Sequence, residues 1–146
     1  MMYQDPTSWR LLLDKIVVVL TEYCRQQVQA GADVIQIFDS WVGSLSVSDY
    51  RDYAFEASKR LVRAVQEMGV PVIYFGVETQ GLLGDMASTG ADVLGLDWRQ
   101  PLDEGWKLVG HNHAVQGNLD PITLFAPVEN VQAVVKMVRE FRLDTK

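Results

Sequence analysis

The chain holds one cysteine, Cys24, and two histidines among 146 residues. A single cysteine excludes an internal disulfide and fits a reducing compartment, most simply the cytoplasm. Cys24 lies in a helical pattern with no histidine near it in sequence, so it reads as a small packed hydrophobe. Positive charge is also scarce: 13 Lys and Arg against 19 Asp and Glu give a net charge of −6. With no basic stripe, nucleic acid is not an expected partner, and an anionic small molecule would need local arginines rather than a favourable overall field. No apolar run reaches the roughly 18 residues that a membrane-spanning helix needs, and Ile16 to Leu20 is the longest apolar cluster. The opening MMYQDPTSWR lacks the basic and apolar regions of a secretory signal. Phosphate-binding glycine loops are missing too. GVETQGLLG, residues 76–84, matches neither GxGxxG nor GxxxxGK[ST].

What is present is a repeated pattern. AGADVIQIFDSW (30–41), TGADVLGLDW (89–98) and the looser MGVPVIYFG (68–76) each place a glycine two or three residues before a short apolar run. That is the pattern of a helix closed by a left-handed glycine and followed by a buried strand. The intervening segments are helical. Residues 7–30 carry Trp9, Leu12, Leu13, Ile16, Val19, Leu20, Tyr23 and Cys24 at steps of three and four. Residues 48–68 do the same with Tyr50, Tyr53, Ala57, Leu61, Val65 and Met68, and Ser48 is the expected N-cap. A shorter helical segment covers 79–89, and another is expected from Leu102 to Val109 before a fourth strand at Ala114 to Asn118. Asp120-Pro121 reads as a turn and helix start, and 127–141 form a last helix with Pro127 in its first turn and Val131, Val134, Val135, Val138 and Phe141 on one side.

A helix followed by four strand–helix units, as one domain over 1–146, predicts a parallel sheet with right-handed crossovers. Strands buried on both faces should be nearly continuous apolar runs, and these are. Two architectures compete, an open doubly wound sheet and a (β/α)8 barrel, which takes about 250 residues. The missing phosphate loops weigh against the first. For the second, every strand finishes in polar residues, as barrel strands do when their C-terminal ends carry a site. The expected fold is therefore α/β, a partial (β/α)8 barrel.

Side-chain alternation sorts the strand ends. Ile35, Ile37 and Asp39 share one face, with the isoleucines toward the helices. Gln36, Phe38 and Ser40 share the other, toward the barrel interior. In the third strand Leu94 and Leu96 face the helices. Gly95 and Asp97 face inward, and Gly95 leaves room for a ligand or a bulky neighbour. In the fourth, Gln116 and Asn118 share one face, and Val115 and Leu119 the other. Asp39 is expected to cap the following turn through its backbone N–H groups, and Trp41 to be a packing residue. No His or Lys sits where it would make Ser40 a nucleophile. His111 and His113, spaced i and i+2, lack a recognisable third ligand and do not read as a metal site.

AGADVIQIFDSWVGSLS, VLGLDW and AVQGNLDP, in this order and spacing, resemble the uroporphyrinogen decarboxylase family, and MMYQDPTSW resembles the helix before its first motif. The resemblance runs to about Phe141. It implies a cytoplasmic (β/α)8 barrel, usually a homodimer, working without metal or organic cofactor. The implied reaction removes the four acetate carboxyl groups of uroporphyrinogen to give coproporphyrinogen, in haem biosynthesis. A pyrrole ring is protonated, CO2 leaves, and the new methylene carbon takes a proton. The family's substrate-contacting serine falls on Ser40 and its pocket-lining phenylalanine on Phe38. Asp97, Gln116 and Asn118 fall on rim or interior structure. The family's two arginines, central aspartate and pocket tyrosine belong to segments before these motifs, and its histidine to a later NLGHG motif. None has a counterpart in the 146 residues. The expectation is thus an internal or C-terminal-half fragment, inactive alone. Two alternatives share the sequence: a non-catalytic half-barrel, and a corrinoid-linked methyltransferase of the same superfamily, which would need zinc ligands that the lone Cys24 does not supply.

Overall fold

The computed structural model describes residues 1–140; the expected place of Phe141 on the last helix lies outside the described residues. Helix α1 (Pro6–Gln29) precedes strand β1 (Ile35–Asp39). A 3-10 turn (Val42–Ser44) leads to α2 (Val47–Tyr53) and α3 (Phe55–Gln66), followed by β2 (Val72–Gly76) and α4 (Leu83–Ala87). Then come β3 (Val93–Gly95), α5 (Leu102–Val109), β4 (Ala114–Gln116), a second 3-10 turn (Pro121–Phe125) and α6 (Val128–Glu140).

The glycines of the repeated pattern close their helices as expected: Gly31, Gly69 and Gly90 have φ of 104°, 84° and 88°. The four strands form one parallel sheet in the order β1-β2-β3-β4. That order decides between the two architectures. A doubly wound sheet reverses direction at a switch point, whereas sequential neighbours with helices on one face are the arrangement of a barrel wall. The core lies on that helix-covered face. Val62 and Val65 of α3, Leu83 and Met86 of α4, and Val109 of α5 pack with Val72, Tyr74, Leu94 and Leu96. Ile35 is buried and Ile37 packs against the same cluster, as alternation requires. The chain folds as a partial (β/α)8 barrel.

Several local expectations are corrected. Residues 48–68 form two helices rather than one, with the break at Ala54. The Tyr53 carbonyl accepts from the Trp9 indole at 2.9 Å, and the Ala57 N–H turns to Ala54 instead. The cap is Ser46, whose hydroxyl accepts from the Asp49 N–H at 3.1 Å; Ser48 lies inside the first turn. Asp120 does start a turn, accepting from the Ile122 N–H, and that turn is 3-10. In α1 only Cys24 of the apolar stripe is buried; Leu12, Ile16, Val19, Leu20 and Tyr23 remain exposed. Cys24 is the packed hydrophobe expected, and burial pushes its thiol above the usual range.

Candidate functional site at the strand ends

The face of the sheet away from the helices is open. Parallel pairing sets its side chains in two rows: Gln36, Ile73, Val93 and Ala114 in one, Phe38, Phe75, Gly95 and Gln116 in the next. Phe38 is 66% exposed, and its ring meets Phe75 edge to face with centroids 5.7 Å apart. The room left by Gly95 is taken by a neighbour: a Cβ there would lie 2.8 Å from the Phe75 Cβ. Ser40 is exposed one residue beyond the end of β1, so it is mounted on the turn rather than on the strand.

The residues around Ser40 depart from expectation. Asp39 does not cap the turn. Its carboxylate points to the helix side, where it accepts from the Tyr74 hydroxyl at 2.9 Å. Burial raises its pKa, against the lowering effect of that hydrogen bond. Tyr74 is fully buried, and its hydroxyl oxygen also lies 3.2 Å from the Ser58 hydroxyl, from which it can accept, and 3.3 Å from the Tyr50 hydroxyl. Burial pushes the Tyr50 hydroxyl up to about 12. Trp41 is not a packing residue: it is 85% exposed.

The other strand ends are tied to one another. The buried Asp97 carboxylate accepts from the Glu78 N–H at 2.6 Å, the Arg99 N–H at 2.9 Å and the Arg99 Nη1 at 3.0 Å. These bonds hold the loop after β2, where Glu78 has φ of 60°. The Asn118 amide donates to the carbonyls of Asp97 (2.9 Å) and Gln100, joining the end of β4 to that of β3. Gly117 has no space for a side chain, since a Cβ would lie 2.5 Å from the Leu96 carbonyl oxygen. Asp97 and Asn118 are thus structural rim residues.

Arg99 was not among the residues singled out from the sequence. Its guanidinium stacks on Trp98 at 4.1 Å and lies 3.4 Å from the Glu78 carboxylate. Two carboxylates beside one guanidinium leave it little charge to offer an anion. The signal for it is the Asp-Trp-Arg run immediately after an apolar strand. His111 meets Trp106 edge to face, with centroids 5.2 Å apart, and among the described residues no three His, Cys, Asp or Glu side chains gather as metal ligands do.

The family model described as uroporphyrinogen decarboxylase matches residues 1–146. The chain belongs to this family. Relatives named uroporphyrinogen decarboxylase include one from Koribacter versatilis, 58% identical over 127 residues, which cover 86% of this chain and 36% of that protein. One from Chloroflexus aurantiacus is 45% identical over 143 residues, 95% of this chain and 40% of the relative. One from Solibacter usitatus is 40% identical across 97% of this chain and 51% of its own length. The chain therefore spans between about a third and a half of these relatives. The four strands among the described residues are likewise half of the eight that close a barrel.

Proposed function

We propose that this chain forms part of the tetrapyrrole-binding wall of a uroporphyrinogen decarboxylase. In this reading residues 1–146 are one partial barrel domain, and Phe38 and Ser40 contact uroporphyrinogen. Its four acetate side chains each lose a carboxyl group to give the methyl groups of coproporphyrinogen. The observation that carries the reading is the placement of Phe38 and Ser40. Phe38 is an exposed aromatic on the open face of β1, and Ser40 is exposed one residue beyond that strand's C-terminal end, within the region shared with the family.

The chemistry is balanced without a redox partner. Each acetate takes up one proton and releases CO2, so R–CH2–COO⁻ becomes R–CH3. The electron pair left by CO2 is held by the protonated pyrrole until the methylene carbon takes its proton. The pyrrole itself is the electron sink, which is why no organic cofactor or metal is called for. Phe38 offers an apolar edge to the macrocycle, and Ser40 can donate to a carboxylate oxygen or accept from a pyrrole N–H. Neither is an acid, a base or a clamp for eight carboxylates. Bidentate arginines suit that task, and Arg99 is engaged with Asp97 and Glu78. Catalytic groups therefore have to come from outside the described strand ends. A cytoplasmic enzyme with a homodimeric assembly fits the same reading; among the described residues, no helix is long and apolar enough to cross a membrane.

The test is anaerobic incubation of the purified chain with uroporphyrinogen, after circular dichroism has established folding, with products separated by carboxyl number. Tetrapyrrole binding without turnover is the expected result. Neither binding nor turnover by folded protein would overturn the reading in favour of a non-catalytic half-barrel.

A further inference from the structure

Ser40 and Trp41 are the exposed residues between two fixed points. Before them, Asp39 is held on the far side of the sheet by the Tyr74 hydroxyl at 2.9 Å. After them, Val42 is buried and Gly43 lies so close to the neighbouring loop that a Cβ would fall 2.2 Å from the Val77 carbonyl oxygen. A strand end left to fray would turn about its own axis and carry Phe38 and Ser40 with it. Because successive side chains alternate across a strand, a bond that fixes Asp39 on the helix side holds Phe38 on the open side, and it fixes the strand end from which the turn carrying Ser40 departs. Tyr74 suits this role because it cannot easily move. It is fully buried, its ring lies in the core cluster, and its hydroxyl is also engaged by Ser58 and Tyr50.

We propose that Tyr74 and Asp39 are positioning residues that set the placement of Phe38 and Ser40 toward the tetrapyrrole, acting from the opposite face of the sheet. The proposal rests on the reading above for its ligand, but not for the anchoring itself. Two readouts keep the two separable. The first is amide hydrogen exchange at Ser40, Trp41 and Val42 in Tyr74→Phe, which removes only the hydroxyl. Exchange there should rise about tenfold, while the amides of β3 stay unchanged. Unchanged exchange at residues 40–42 in folded Tyr74→Phe would overturn the proposal.

The second readout is the affinity for uroporphyrin, followed by its fluorescence, in a double-mutant cycle. Ser40→Ala and Tyr74→Phe should each weaken binding about tenfold, and the double variant should lose clearly less than the product of the two, because the part of the Tyr74 effect that acts through Ser40 is already gone. A merely structural role for Tyr74 would make the two losses multiply, and that result would also overturn the proposal. If Tyr74→Phe does not fold, Asp39→Leu and Asp39→Asn replace it: the amide keeps an acceptor for Tyr74 and the isobutyl group does not. Binding should survive in the amide variant and fall in the other, and equal losses would count against the anchor. Should Ser40→Ala leave uroporphyrin affinity untouched, the tetrapyrrole reading of Ser40 fails, and the exchange result then judges the anchor by itself.

Discussion

Replacing Gly43 by alanine tests whether the turn after β1 is as tightly seated as the rim geometry requires. A Cβ at this position would sit 2.2 Å from the Val77 carbonyl oxygen, 2.6 Å from that of Glu78 and 2.8 Å from the Glu78 carbonyl carbon. Ordinary carbon–oxygen contact is about 3.2 Å, so one backbone segment has to retreat by about 1 Å, and neither is free to do so. The loop carrying Val77 and Glu78 is fastened by the Glu78 N–H to the Asp97 carboxylate at 2.6 Å. The turn carrying Gly43 is fastened by the burial of Val42. An added methyl in such a place costs about 1–3 kcal/mol. If the turn lifts instead, the loss is a share of the roughly 1.5–3 kcal/mol gained by burying a valine. Both routes lead to a loss of about 1–3 kcal/mol, which in a chain of this size is a fall in Tm of about 3–10 °C. Gly84→Ala is the control. It lies inside α4 with nothing within 4 Å of its added Cβ, so it should stabilise by about 0.5–1 kcal/mol. Thermal unfolding followed by circular dichroism reads both. A Gly43→Ala chain that melts with the parent would refute the tight seating and remove one of the two fixed points on either side of Ser40.

Asp39 has its carboxyl pKa raised by burial, so it holds its proton more tightly in the fold than in the unfolded chain. Its contribution to stability is complete below about pH 4 and is lost as pH rises through the raised value. Asp39→Asn should therefore match the parent in acid and melt higher at neutral pH, a difference readable from Tm between pH 3 and 7; an equal Tm throughout would contradict the burial. Asp92 is the opposite case, its pKa lowered first by the Gln66 amide and then by the Val72 N–H. Its contribution is present above about pH 4 and is lost as pH falls through the lowered value; being exposed, it is worth at most about 1 kcal/mol, so Asp92→Asn should cost that at pH 7 and nothing near pH 2. Strands β1 and β4 each have one neighbour within the described sheet, and unpaired edges recruit other chains. Static light scattering of the isolated chain should report dimers or larger species, and a clean monomer at tens of micromolar would count against it.

Much of the fold was legible because its signals are local. The three glycines that end helices before strands, the strand alternation that sends Ile35 and Ile37 toward the helices, and the helix at Leu102–Val109 all follow from neighbours in sequence. What was not legible depends on partners far along the chain. The split of 48–68 comes from the Trp9 indole taking a carbonyl 44 residues away. Asp39 followed by Ser-Trp-Val-Gly reads as a turn cap, since aspartate commonly bonds its own backbone two residues on. Its actual partner, Tyr74, is 35 residues distant and could be placed only once β1 and β2 were known to pair. Trp41 was misjudged because a large apolar side chain is usually buried, and here it stands on the rim. The α1 stripe has the spacing of a buried face, yet with Trp9, Leu13, Ile16 and Val17 it borders an apolar groove of about 390 Å³.

The open face shows how the placement of Phe38 is built up from the smallest residue in its row. Gly95 has no side chain, and the Phe75 ring occupies the space a Cβ would need, with its Cδ2 2.8 Å from that position. Phe75 is thereby laid over β3, and it presents its ring to Phe38 at 71°. Phe38 in turn projects from β1 at the point where Asp39 is pinned from behind. Large and small residues alternate across neighbouring strands, as they do in the filled layers of a barrel interior. In this row, however, the layer ends in an exposed aromatic rather than in a packed one. A side chain at position 95 would have to displace Phe75 and, through it, Phe38, although it never reaches the rim itself. The placement of Phe38 therefore also depends on a residue two strands away, the glycine that makes room for the Phe75 ring.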